Sequence, residues 1–369
     1  MPRSLIMEFY VLNKEFEAVA LVDAYTSAIW TDRFYEAGDF EIQLPASKDN
    51  IDIFQKDYYL WFANSEHLMI IGEVSTDSDA ETGQIMTVAG DSLEFILDRR
   101  IIWKNTTVSG NLQQGVKKLL NENIISPSDS ARKVSNLSFE DSTDTRITSL
   151  TLENQYLGDN LYEVISEICK NEDIGFKITM PEDGKFVFKL YSGEDRSYDQ
   201  ETNPWIVFSP NYDNLLNSNS FESNRSYKNV ALVAGETTDD NGSRKFITVS
   251  SENVESGLYR RETFVDAGGS RTTVNGEKLS DSEYNAQLQQ KGNEELADNK
   301  ITKTFDGEAE STRSWQYGTD FYMGDIVQVE NEFEQQSKAR ITEFIWSQDE
   351  SENTQYPTFT IIEDEEGGN

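Results

Sequence analysis

The residues able to do chemistry are few. His67 is the only histidine, so any Ser-His-Asp or Cys-His arrangement would have to use it as its base. It lies in Asn64-Ser65-Glu66-His67-Leu68, which reads as a turn leading into a strand. Cys169 is the only cysteine, which rules out an intrachain disulfide and a multi-cysteine zinc site. Asp77-Ser78-Asp79 with Glu81 and Gly83 resembles part of a calcium loop. It lacks the third Asp/Asn and the terminal glutamate that complete an EF-hand. Two carboxylates are all that a glycosidase needs, and Glu140-Asp141 or Glu252 with Glu255 supply them. With 67 acids in the chain such pairs arise by chance, and a solvated charged face is the simpler reading.

Neither a Gly-x-x-x-x-Gly-Lys-Ser/Thr loop nor a Gly-x-Gly-x-x-Gly fingerprint is present, so no phosphate cradle is expected. Sequons at Asn105, Asn136, Asn224 and Asn241 read as chance matches without a secretory signal. Six tryptophans could form a sugar platform. Trp30, Trp61, Trp103, Trp205 and Trp346 sit in apolar, strand-like context, where core or interface packing is the simpler role, and Trp315 reads as a loop anchor. No catalytic, cofactor-binding or metal-binding residue is assigned, no cofactor is expected, and the chain is expected not to be an enzyme.

The elements that would position any such group follow from pattern. Phe9–Leu12 and Ala18–Val22 flank a hairpin loop at Asn13-Lys14-Glu15. Ile29–Tyr35, Phe40–Leu44, Tyr58–Phe62, Leu68–Val74 and Gln84–Ala89 continue as short strands, with Thr76–Glu81 turning the last hairpin. After Gly110 the period changes: Val116, Leu119, Leu120 and Ile124 make one helix face. Leu161, Val164, Ile165, Ile168 and Cys169 make another, capped by Asp159 or Asn160. Cys169 is thus a small buried hydrophobe. A hairpin follows, Gly175–Thr179 and Lys185–Tyr191, turning at Pro181-Glu182-Asp183-Gly184. Strands return at Asn229–Ala234 and Lys245–Ser250, around a turn at 239–243. Ser280-Asp281-Ser282-Glu283 fits a capping box that opens a polar helix to about Asn299, with Tyr284, Leu288 and Leu296 as its apolar stripe. Ile326–Glu330, Ala339–Trp346 and Thr358–Ile362 are strands again.

The pattern is mainly β within an α+β class. The 369 residues, 37% of them hydrophobic, suffice for two or three domains. We expect a strand-rich domain over 1–110, an α+β insertion over 111–215, and a second, split strand-rich domain over 216–250 and 301–362. Residues 251–300 form an insertion with the polar helix, and 363–369 a flexible acidic tail. Mean hydropathy is −0.61. No apolar run nears the ~20 residues of a membrane span, and the first residues are too short an apolar stretch for a secretory signal. Against the acids stand 32 bases, a net charge of −35 that repels phosphate and argues against specific nucleic-acid binding. Two readings of that field stay open: a plain solvated surface, or a negative wall past which nucleic acid slides.

Four segments together resemble siphophage tail proteins and, more broadly, the baseplate or tail hubs of phages and injection systems. They are Phe34–Ile42, Val88–Arg100, Asn229–Gly235, and Tyr317–Val329 followed by Arg340-Ile341-Thr342-Glu343. The resemblance spans about residues 8–362. It implies two antiparallel β-barrel domains similar to the tail-tube fold, carrying α+β insertions. It also implies a virion structural protein, a homotrimer whose pseudo-sixfold ring adapts the tail tube to the tip and passes DNA during genome ejection. The implied partners are a tail-tube or distal-tail ring above, tip or fibre proteins below, and the tape-measure protein. The implied location is the virion tail, assembled in the cytoplasm of the host bacterium. Larger relatives continue into a peptidoglycan-cleaving or receptor-binding domain, for which no room is expected after the last strands. Two alternatives remain: a distal or adaptor ring subunit, and a carbohydrate-binding module or acid-catalysed glycan hydrolase built around a concave pocket of paired carboxylates.

Overall fold

A computed structural model describes residues 6–79, 83–182, 184–215, 218–237, 244–251, 256–269, 273–274, 277–307, 314–331, 333 and 336–362. Glu81, Asp183, the turn at 239–243 with its sequon Asn241, Glu252, Glu255 and the acidic stretch 363–369 lie outside the described residues.

The chain begins with β1 (Phe9–Leu12) and β2 (Ala18–Val22), an antiparallel hairpin. The Asn13 side chain accepts from the backbone N–H groups of Glu15 and Glu17 and so shapes its turn. Then come β3 (Ser27–Arg33), β4 (Asp39–Pro45), a short helix α1 (Lys48–Ile53) capped by Ser47, β5 (Tyr59–Phe62), β6 (Leu68–Asp79) and β7 (Gly83–Ser92). Thr76–Glu81 is not a loop as far as it is described. β6 and β7 pair out to Asp79 and Gly83, because a continued backbone ladder satisfies N–H and C=O groups whatever the side chains.

A 3₁₀ turn, Leu93–Arg99, leads into the helix-bearing stretch. It holds β8 (Thr106–Asn111), α2 (Leu112–Leu120) running on into a π turn at Asn121–Ile125, β9 (Leu137–Glu140), α3 (Thr145–Thr148) and β10 (Thr151–Tyr156). It ends with α4 (Leu161–Asn171), β11 (Gly175–Glu182) and β12 (Lys185–Tyr191). Asn160 caps α4, accepting from the N–H groups of Tyr162 and Glu163. Both apolar stripes face one core, packed with Phe176 and Phe188. Cys169 is fully enclosed there, and burial pushes its thiol far above the ordinary range. A thiol reagent such as DTNB is therefore expected to leave the native protein unlabelled and to titrate one thiol after unfolding. Labelling at the same rate before and after unfolding would refute this packing.

The remaining elements are β13 (Val207–Phe208), β14 (Ser218–Ser223), β15 (Val230–Thr237), β16 (Arg244–Ser250), β17 (Glu262–Asp266), β18 (Thr273–Val274) and β19 (Glu277–Lys278). They continue with α5 (Asp281–Asp298), β20 (Thr302–Gly307), β21 (Ile326–Glu330), β22 (Gln336–Asp349) and β23 (Asn353–Ile362). The capping box opens α5: the Ser280 side chain accepts from the Glu283 N–H, and Glu283 reaches back to the Ser280 N–H. Tyr284 and Leu288 seat this helix on a separate three-stranded sheet ordered β16-β15-β17. At Gly292 an added Cβ would lie 2.4 Å from a Val249 methyl, so glycine sets how closely α5 approaches.

The molecule is mainly β, and its dominant feature is one 13-stranded sheet. Its order is β14-β20-β23-β22-β3-β4-β7-β6-β5-β1-β2, with β21 paired to β22 and β13 to β21. Strands β14 and β20–β23 of the second strand-rich region thus share a sheet with the first, while β15 and β16 lie in the smaller sheet, and the described pairings close no ring. The cause is the 14-residue length of β22. Gln336–Arg340 pairs with β21, Glu343–Asp349 pairs with β3, and β23 runs along nearly the whole strand. Trp30, Ile42, Val88, Ile341 and Phe344 fill the core beneath it.

Candidate functional site

The four groups that could mimic a hydrolase do come together. Asp32 comes from β3, Ser65 and His67 from the β5–β6 turn, and Glu94 from the 3₁₀ turn after β7. The bonding is wrong for catalysis. Ser65 Oγ donates to Asp32 at 2.8 Å and accepts from the His67 backbone N–H, so no hydroxyl faces the imidazole. His67 Nδ1 lies 3.1 Å from Glu94 Oε1, which also accepts from the Ile178 N–H of β11 at 2.6 Å. Trp30 Nε1 donates to Asp32 at 3.0 Å. All four groups are buried, so substrate has no access to them.

Burial works against a charged imidazole here, but the Glu94 and Asp32 carboxylates outweigh it and raise His67 to about 9. Burial likewise opposes the charged form of Glu94, yet His67 holds that carboxyl below its usual range. Asp32 is raised, by burial first, against the pull of His67, Ser65 and Trp30. His67 is thus the cation of a buried structural cluster that ties the first strands to β11.

A second buried junction centres on Arg340, which is 1% exposed. Its Nη1 donates to the Gly324 carbonyl and its Nη2 to Asp173 Oδ2, each at 2.5 Å. The guanidinium lies 5.3 Å from the Phe34 ring centroid. Asp173 also accepts from Tyr35 Oη at 2.5 Å and from Arg146 Nη2 at 2.8 Å. Gly324 has φ +85°, and an added Cβ would meet the Phe34 ring at 2.3 Å, so no other residue fits the turn before β21. Beside it the buried Asp325 accepts from the Glu194 and Tyr322 N–H groups and from Arg196 Nε at 2.7 Å. Arg33 completes the set, bonding Asp39 and Glu343 at 2.7 Å each and donating to the Ala37 carbonyl.

Three of the four segments that carry the resemblance therefore meet here. Gly38 and Ser92 bond each other through N–H to Oγ and N–H to carbonyl. Asp39, Gly324, Asp325, Arg340 and Glu343 supply the ion pairs. The fourth segment forms β15 in the smaller sheet. Sequence reasoning missed Asp32, Glu94, Tyr35, Arg146 and Asp173, whose partners lie far along the chain and leave no local spacing to read.

The other candidates do not converge. Glu140 pairs with Lys189 and Asp141 with Lys117, so neither faces the other as an acid–base couple. Asp77 and Ser78 lie on β6. Among the described residues no group of three His, Cys, Asp or Glu could hold a metal ion. Trp30 and Trp346 are core residues, and Trp315 Nε1 anchors its loop to the Val207 carbonyl at 3.0 Å. Trp61, Trp103 and Trp205 are exposed, so of the two roles expected of them they do not take the core one. Trp61 alternates outward on β5, Trp103 stacks under Arg132 in a loop, and Trp205 packs edge-on to Tyr198. These lie on separate elements, not on one platform. No described helix is long and apolar enough to cross a membrane.

The profile of a family described as Siphovirus ReqiPepy6 Gp37-like protein matches residues 8–359. No curated protein matches by sequence. Among solved structures, the chain is similar to prophage tail protein gp18 from Listeria monocytogenes EGD-e, with TM-score 0.54 and 13% identity over 97% of this chain and 95% of that one. The tail protein from Neisseria meningitidis MC58 gives TM-score 0.57 and 13% identity over 97% of both. The 43 kDa tail protein of prophage MuSo2 from Shewanella oneidensis gives 0.58 and 10% identity over 96% and 98%. At these identities the likeness is one of fold.

Proposed function

Because the chain belongs to the Siphovirus ReqiPepy6 Gp37-like family and has the fold of phage tail proteins, we propose that it is a structural hub subunit of a tail tip or baseplate. Three copies form a pseudo-sixfold ring that joins the tail tube to the tip and leaves a channel for DNA. The observation that carries this reading is the single sheet running from β14 to β2, pinned by ion pairs from β3, from β22 and from Asp325 at the start of β21, with Arg340 and Asp325 themselves buried. Such a body transmits force as a unit, which a ring adaptor must do and a hydrolase need not. In this reading residues 1–110 form one strand-rich domain with 111–215 as its α+β insertion, and 216–250 with 301–362 form the second with 251–300 as its insertion, β15 and β16 pairing with β17 in the smaller sheet. The neighbours are a distal-tail or tube ring above, tip or fibre proteins below, and the tape-measure protein, all within the virion tail.

Light scattering coupled to size exclusion tests the reading. A mass of three 42.0 kDa chains is the expected result. Six chains would favour a distal adaptor ring, and a single chain at every concentration would count against a self-closing ring.

A further inference from the structure

A cleft of about 390 Å³ opens where the chain leaves the 3₁₀ turn Leu93–Arg99. Arg99, Arg100, Ile101 and Trp103 line it together with Asp129 and Arg132 from further along the chain. Its frame is fixed. The Arg100 carbonyl accepts from the Leu161 N–H at the start of α4, and the Ile102 N–H donates to the Asp159 carbonyl. Two arginines tie the segments to each other. Arg100 Nε donates to the Arg132 carbonyl at 3.0 Å, and Arg132 Nη2 to the Ile101 carbonyl at 2.7 Å. Arg100 Nη1 donates to the Arg99 carbonyl at 2.8 Å.

These bonds hold the guanidiniums in place without neutralising them. Among the described residues Arg99 alone of the three reaches a carboxylate, Asp57 at 3.8 Å. The acids beside the cleft are engaged elsewhere: Asp98 accepts from Asn160 Nδ2, and Asp129 from the Ala131 N–H. Burial, then the charges of Arg132 and Arg99, pull the Arg100 guanidinium below its ordinary range. Residues 98–134, all of them described, carry seven bases and three acids, in a chain of 32 bases and 67 acids. An incoming anion relieves the crowding of like charges, and a guanidinium matches a carboxylate in shape and in hydrogen bonding.

Apolar surface adjoins the charge. Trp103 is 64% and Ile101 46% exposed, and the Arg132 guanidinium lies 4.9 Å from the Trp103 ring centroid. A ligand complementary to both parts carries carboxylates and apolar side chains close together, as an acidic peptide does. A long phosphate polymer would run on beyond the cleft across a chain of net charge −35, which repels it. A short peptide places its charge on the arginines, and screening over about 8 Å at physiological salt shields it from the rest.

We propose that the cleft at Arg99, Arg100, Trp103 and Arg132 docks an acidic, partly apolar peptide segment of a partner protein. The proposal goes beyond the ring reading and does not depend on how many copies assemble. Fluorescence anisotropy of the 369-residue chain with a labelled Glu-Leu-Glu-Phe-Glu peptide tests it at physiological salt. A Gln-Leu-Gln-Phe-Gln peptide and an oligothymidylate of similar length are the comparisons. The acidic peptide is expected to bind saturably and the other two not to bind. Arg99→Glu/Arg132→Glu should weaken its binding by at least about tenfold. Lys48→Glu/Lys170→Glu, which makes the same charge change at exposed positions on α1 and α4, should leave it unaltered. Circular dichroism melts verify that each variant is folded, and Arg99→Glu/Trp103→Ala, at two exposed side chains, replaces the arginine pair if that pair unfolds. Absence of saturable binding up to millimolar peptide, or equal binding of the neutral peptide, overturns the proposal. Tighter binding of the oligothymidylate would overturn it in favour of a phosphate polymer. Unchanged affinity in the folded cleft variant would place the peptide elsewhere on the chain, and the cleft proposal would fall.

Discussion

Replacing Arg340 with Met is expected to lower the stability of the protein by about 3 kcal/mol, read as the shift in a denaturant unfolding curve. The side chain is sealed, so its removal strips the Gly324 carbonyl of a donor and takes the cation from Asp173. Removing one partner of a fully buried ion pair costs about 3–5 kcal/mol. Asp173 is 42% exposed and keeps Arg146 and Tyr35, which places this case at the lower end. Arg146→Ala removes a partner of the same carboxylate from a partly exposed position and should cost no more than about 1 kcal/mol. Equal losses from the two variants would show that burial of Arg340 is not the deciding factor.

The second large effect is set by pH. His67 is raised to about 9 in the folded protein, from the ordinary value near 6.5. The folded state thus holds its proton more tightly than the unfolded chain. That contribution is complete below about pH 6.5, declines as pH rises, and is gone above about pH 9. Its size is about 3 kcal/mol, from roughly 1.4 kcal/mol per pKa unit. No other histidine titrates in this window, and only its upper end is shared, by the unfolded Cys169 thiol that ionises near 8.5. His67→Gln should abolish the decline between about pH 6.5 and 8, and a wild-type stability flat across that range would dismiss the charged cluster. Glu94 has the opposite sign, with a lowered carboxyl whose contribution disappears as pH falls through its folded value.

What the sequence made legible was local. Alternation located the first strands, the i, i+3, i+4 spacing located α2 and α4, and the caps at Asn160 and Ser280 were readable because capping is decided within four residues. β8 and β10 were missed because Thr-Thr-Val-Ser-Gly-Asn and Thr-Leu-Glu-Asn-Gln-Tyr carry too few apolar residues to show a period. They are strands because they pair with each other, Asn111 opposite Thr151, with α2, β9 and α3 lying between them in the chain. Trp61 and Trp103 could not be divided between core and interface for the converse reason: an apolar neighbourhood in sequence does not say which face a residue takes. The segments Gly38-Asp39, Gly324-Asp325 and Arg340–Glu343 were recognisable as marks of a family. That they meet at one junction could not be read, since strand order is set by pairing between residues hundreds of positions apart.

The pairing of β3 with β22 also orders events during synthesis. Arg33 and Glu343 are separated by 310 residues, and at about 5–20 residues per second the ribosome needs roughly 15–60 s to supply the partner. Through that interval β3, with Trp30 on its inner face, can neither complete its hydrogen-bonded edge nor cover its core. The helix-bearing stretch closes its own core from nearer contacts and can mature while the large sheet waits. Contacts of such long span make the sheet slow to form, and they leave an open strand edge that nascent chains must keep from one another until β22 arrives.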